Sequence, residues 1–118
     1  MNRSDLQQVT VRNNYLYLMK QKLPIHLSNI IYLEAQVNYT NLHLKSGKFV
    51  MVAKTLKSLE ILLSPHKFHR IHRGYLINGS HLQKYNGLLG EVTLTNDYRL
   101  VTSRRKKVSF EGELGGIN

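Results

Sequence analysis

Cysteine is absent from the 118-residue chain. That excludes disulfides, thiolate zinc sites, iron–sulfur clusters and cysteine nucleophiles, and it removes any argument for an oxidising compartment. Acids are also scarce. Asp5, Glu34, Glu60, Glu91, Asp97, Glu111 and Glu113 are the full set, and they are scattered, so no carboxylate pair suited to acid–base work stands out. No apolar run approaches the roughly 18 residues of a membrane span. Met1–Gln8 is polar and has no apolar signal core, which points to a cytoplasmic location. Nucleophile elbow, phosphate-binding loop, dinucleotide glycine pattern and zinc-protease motif are all missing, so an enzyme is not expected.

What the chain has instead is positive charge. Seventeen Lys+Arg stand against seven Asp+Glu, a net +10 with a pI near 10. The excess is clustered. Seven basic residues lie between Lys45 and Arg73 with Glu60 as the only acid, and five lie between Arg99 and Lys107 with none. Such runs repel themselves in a folded domain and gain by meeting a polyanion, which releases its condensed cations. Apolar residues make up 42% of the chain, enough for one globular domain and too little chain for two.

The pattern reads mostly as short strands. Tyr15–Met19 is β-rich. Leu23, Ile25 and Leu27 alternate, with Pro24 favouring an edge strand. Ile30–Leu33 is a short buried run. In Val37–Leu44 the apolar parity switches near Thr40–Asn41, which predicts a bulge or a turn-like break there. Lys45–Lys48 reads as a turn and Phe49–Ala53 as the returning strand. Thr55 caps an expected helix over Thr55–Leu63 with a Leu56, Leu59, Leu63 stripe, closed by Pro65. Leu82–Tyr85 and Leu88–Thr95 read as a hairpin about Asn86-Gly87, and Tyr98–Ser103 as a last strand. Glu111–Asn118 is glycine-rich and expected to fray. The fold class expected is all-β: an elongated antiparallel sheet or sandwich with one short packed helix. The division expected is an N-terminal extension over 1–14, a binding domain over 15–110 and a flexible tail over 111–118. Ile31, Leu33, Leu56, Leu59, Ile71, Leu76 and Ile77 are assigned to the core.

His66, His69 and His72 lie three apart, but no carboxylate or thiolate completes a ligand set, and neither metal nor cofactor is expected. Asn38, Asn41, Arg70, Arg73 and Arg104 sit at strand ends, where a loop could carry them to base edges. Asn38-Tyr-Thr40 and Asn78-Gly-Ser80 match the glycosylation pattern, without a secretion signal to support it. Asn78 reads better as a structural hydrogen-bond former. A small basic nuclease and a single-strand or RNA-binding barrel stay open as rival readings. The tyrosines, however, fall mostly inside apolar runs rather than forming a stacking platform.

Ile30–Ala35, Asn38-Tyr39, Thr55–Leu59, Phe68-His-Arg-Ile-His-Arg73, Leu76-Ile-Asn78 and Leu100-Val-Thr-Ser-Arg-Arg105 occur in an order that resembles the LytTR DNA-binding domain of bacterial transcription regulators. The resemblance runs over roughly Tyr15–Phe110. It implies sequence-specific binding of double-stranded DNA by loops that enter the major groove. It also implies two protomers on tandem sites and a link to a receiver domain or a sensor kinase pathway. Carried over, the base-contacting positions are Asn38, Arg73 and Arg104. Tyr39, Asn41, Arg70, His72, Arg105, Lys106 and Lys107 are then phosphate or flanking contacts. The family's C-terminal helix is not evident in Val108–Asn118.

Overall fold

Four consecutive buried side chains, Ile30 to Leu33, mark a strand with both faces covered. In the computed structural model of the chain, which describes residues 8–18 and 23–115, this segment is the middle of a five-stranded antiparallel sheet. The strands are β1 (Val9–Arg12), β2 (Tyr15–Leu18), β3 (Ile25–His26), β4 (Ile30–Ala35), β5 (Thr40–Leu44), β6 (Phe49–Val52), β7 (Phe68–His72), β8 (Tyr75–Asn78), β9 (Leu82–Asn86), β10 (Glu91–Leu94) and β11 (Tyr98–Val101). The central sheet has the order β6-β5-β4-β8-β7. Two three-stranded sheets, β1-β2-β3 and β11-β10-β9, complete the β structure. The helices are α1 (Leu56–Leu63) and α2 (Arg104–Glu113). The molecule is elongated, 45 × 27 × 23 Å.

The central sheet separates two cores. Ile30, Leu33, Leu42, Val52 and Leu76 face one way and pack with Leu16 and Leu18 of β2 and with Leu56, Leu59 and Leu63 of α1. Ile31, Tyr32, Ile71 and Ile77 face the other way and pack with Val92, Leu94, Leu100 and Phe110. Adjacent Ile31 and Tyr32 share a face because the β4–β5 register slips between Ile30 and Tyr32, so that Ile31 is the extra residue of a bulge. Burial and the Glu34 charge push the Tyr32 phenol up to about 12.

Several expectations need correction. The parity switch at Thr40–Asn41 is the start of β5. Residues 37–39 form bends, Val37 is exposed, and pairing runs regularly from Thr40, whose hydroxyl donates to the Lys54 carbonyl at 2.7 Å. The break is thus the turn-like one, just before Thr40, and the bulge in β4 is a separate feature, at Ile31 opposite His43 and Leu44. The strand expected over Leu23–Leu27 is only Ile25–His26, at the edge of its sheet, with Leu23 exposed and Leu27 in a 3-10 turn. Met19 lies outside the described residues. Asn86-Gly87 does not make a two-residue turn. Glu91 pairs with Asn86, so 87–90 is a four-residue loop and Leu88–Gly90 is not strand.

Among the described residues there are two α-helices rather than one. The unexpected helix is α2. Ser103 caps it, its hydroxyl accepting the Lys106 N–H at 3.1 Å. It has almost no apolar stripe. One residue, Phe110, is fully buried and docks it, with the Phe110 ring meeting His69 and Tyr85 edge-on. Glu111–Glu113, expected in a frayed tail, belong to α2. Val9–Arg12, expected in an extension, is β1. Residues 1–7 and 116–118 lie outside the described residues.

Candidate nucleic-acid interface

Three chain junctions meet at one end of the central sheet. The end of β4 carries residues 36–39, where the Gln36 N–H bonds the Tyr39 carbonyl at 2.8 Å. The β7–β8 turn, Arg73-Gly74, lies beside it, since the Ala35 N–H donates to the Gly74 carbonyl at 2.9 Å. The start of α2 is bonded to the same hairpin from its other side, through the Ser103 N–H to the Ile71 carbonyl at 2.8 Å. Asn38, Arg73 and Arg104 are all exposed on these junctions.

Arg73 is presented by a fixed turn. The Arg70 guanidinium donates to the His72 carbonyl (2.8 Å), the Arg73 carbonyl (2.6 Å) and Glu60 (2.7 Å). His72 Nδ1 accepts the Gly74 N–H at 3.0 Å. An atom that accepts from a backbone N–H carries no proton, so neutral His72 keeps its proton on Nε2, as a donor. His72, Arg73, Ser103, Arg105 and Lys106 line a shallow cleft of about 260 Å³ that has no acid among its lining residues.

Arg104, Arg105, Lys106 and Lys107 occupy the first turn of α2, which contains no acid. Cations there oppose the helix dipole, at about 0.3–1 kcal/mol each at an exposed surface. The arrangement costs folding energy and suits an incoming anion, with Arg105 and Lys106 lining one cleft and Arg104 and Lys107 another. Expected as a basic run following the last strand, this segment is therefore a capped helical turn.

The other anticipated positions divide. Tyr39 is exposed on the loop beside Asn38. Asn41 is on no loop. It lies inside β5, between Glu34 and Met51, with Oδ1 buried and unbonded. Arg70 has its fork occupied internally and its side chain is only 14% exposed, so its contribution here is to hold the turn. Asn78 is buried and structural. Its amide donates to Leu27 and Ile30 carbonyls, and its Oδ1 accepts the Ser80 N–H. His66, His69 and His72 diverge onto a 3-10 turn and the two ends of β7, and His69 bonds Glu113 at 2.7 Å. Among the described residues no cluster of three or more metal-capable side chains occurs. Sequence reasoning missed Glu60 as the partner of Arg70 and Phe110 as the anchor of α2. The lone acid within a basic stretch was the available signal for the first.

A β-rich domain that brings Arg73 and the Arg104–Lys107 run, with no acid beside them, to adjoining junctions has the chemistry of a binding domain for a polyanion. The sequence profile of the LytTr DNA-binding domain family matches residues 6–115. A solved LytTr DNA-binding domain from Bacillus cereus is similar in fold. It has a TM-score of 0.70 and 21% identity, and the match covers 93% of this chain and 97% of that one. No curated protein sequence matches significantly. The chain belongs to the LytTR family of DNA-binding domains, a family typical of bacterial response regulators and transcription regulators. The matched span reaches past both limits expected from the sequence, taking in β1 and the whole of α2.

Proposed function

We propose that this domain binds double-stranded DNA sequence-specifically, in the bacterial cytoplasm, as a transcription regulator or as the output domain of one. Loops at one end of the sheet enter the major groove. The observation that carries the reading is the anchoring of Arg73. Its turn is bonded by Arg70 and His72 and tied to β4, while its own side chain is exposed. A guanidinium leaving a fixed backbone meets guanine O6 and N7 bidentately, worth about 1–3 kcal/mol of discrimination. Arg104, one residue past the Ser103 cap, has a similarly fixed origin, and Asn38 on the adjoining loop supplies a third base contact. Tyr39, His72, Arg105, Lys106 and Lys107 face phosphate. Two protomers occupy tandem sites, and a receiver domain or sensor kinase supplies the input.

Selection from random duplexes, followed by titration of variants against the selected and a scrambled duplex, tests this. Arg73→Ala and Arg104→Ala should each lose about 10- to 100-fold on the selected duplex and far less on the scrambled one. Equal proportional losses on both would show that these arginines only hold the backbone. Cleavage of plasmid or RNA by the protein would favour a nuclease instead.

A further inference from the structure

The loop of residues 87–90 carries two adjacent leucines that no core claims. Leu88 is 97% exposed and Leu89 70%. The loop that holds them is well bonded. Asn86 Oδ1 accepts the N–H of both Leu88 (3.0 Å) and Leu89 (3.1 Å). Thr102 donates twice to the Gly90 carbonyl, from its N–H at 2.7 Å and its hydroxyl at 3.0 Å. Gly90 has φ +66, and a Cβ there would stand 2.8 Å from Thr102 Oγ1, so a side chain is excluded. The backbone thus fixes two apolar side chains in water.

Their surroundings indicate what they meet. Leu88 and Leu89 share a cleft of about 300 Å³ with Thr102, Ser103, Arg104 and Lys107. It is lined by two cations and no acid, and it opens at the junction where Arg104 begins α2. A partner that offers apolar groups directly beside negative charge fits such a lining. Duplex DNA does so in its major groove, where each thymine presents a C5 methyl a few ångströms from the phosphates. We infer that Leu88 and Leu89 contact thymine methyl groups next to the base pair met by Arg104, so that this loop sets a preference for thymine at positions no polar side chain reads. The inference rests on the duplex-binding reading above and adds to it an apolar determinant.

The test uses the selected duplex and the same duplex with uracil in place of every thymine, which removes only the methyls. The wild-type domain and the Leu88→Ser/Leu89→Ser double variant are titrated against both. Loss of exposed leucines should leave the melting temperature unchanged. Wild type should bind the uracil duplex more weakly, by about fourfold per methyl contacted, the worth of one buried methyl-sized group. The variant should bind both duplexes equally, with an unchanged salt dependence. Wild type indifferent to the substitution, or a variant as sensitive as wild type, overturns the inference while leaving duplex binding intact. Failure to enrich any duplex sequence would instead sink the reading on which it rests.

Discussion

At the scale of single residues, the Arg73 turn depends on a side chain whose hydrogen bonds are all made inside the protein. Arg70 spends its whole fork on Glu60 and on the carbonyls of His72 and Arg73. Its removal leaves a partly buried carboxylate and two carbonyls without their donor, so Arg70→Ala should cost about 2–4 kcal/mol of stability. Lysine, a point charge on a flexible stem, cannot serve three acceptors at once and should not restore it. Affinity for the selected duplex should fall because the Arg73 turn loosens, yet the dependence of affinity on salt should keep its slope. Thermal melts and titrations at several salt concentrations check both. A slope shallower by about one unit in Arg70→Ala would place this side chain on a phosphate after all. Asn78 shows the same division of labour in the core. Two hydrogen bonds join β8 to the Leu27–Asn29 turn and β4, a third caps the turn after Asn78, and together they leave its side chain no freedom for modification.

At the scale of elements, α2 is the decisive one. Its four leading cations oppose its own dipole and Phe110 is its one buried residue, so it would not persist alone. What holds it is the Ser103 cap, the Phe110 ring and two carboxylates. Glu111 accepts from the Tyr85 hydroxyl at 2.6 Å, and Glu113 meets His69 at 2.7 Å. Burial and the Glu111 contact push the Tyr85 phenol up to about 12, so it stays a proton donor through the neutral range. Phe110→Ala should therefore cost about 3–5 kcal/mol and release the helix. Hydrogen exchange should rise over 104–113 first, and cognate affinity should fall with Arg104 and the lysines no longer held. Persistent protection of α2 in that variant would show that the cap and the carboxylates suffice.

At the scale of the whole molecule, charge and shape work together. Net charge is +10, and the molecule is elongated, 45 Å along its longest axis; Arg73 and the Arg104–Lys107 run lie at adjoining junctions at one end of the central sheet. If about six phosphates are neutralised there, log affinity against log salt should have a slope near −5, and Lys106→Ala should make it shallower by about one unit while weakening selected and scrambled duplexes alike. Titration across a range of salt concentrations measures this directly. A nearly flat slope would remove the basic end from the contact surface.

Much of this was legible in the residues themselves. Period-two alternation and short apolar runs located β4, β5 and β6, the Thr55 cap and its leucine stripe located α1, and every residue assigned to the core is buried. The clustered cations and the ordered motifs pointed to the family, because net charge and local pattern are properties of the chain alone. The helix α2 was not legible. Its periodicity is nearly absent, and one phenylalanine makes sense of it only once β7 and the β9–β10 hairpin are in place to receive the ring. The parity switch at Thr40–Asn41 marked the turn-like break over 37–39, whereas the bulge at Ile31, opposite His43 and Leu44, left no mark in a continuous apolar run. Sequence by itself determined the class of fold and the polyanion partner. Tertiary structure alone decided that Arg70 bonds Glu60 and the turn that carries Arg73, that Asn41 sits inside a strand, and that Leu88 and Arg104 line one cleft. Each of those depends on contacts between segments far apart in the chain, which no local pattern encodes.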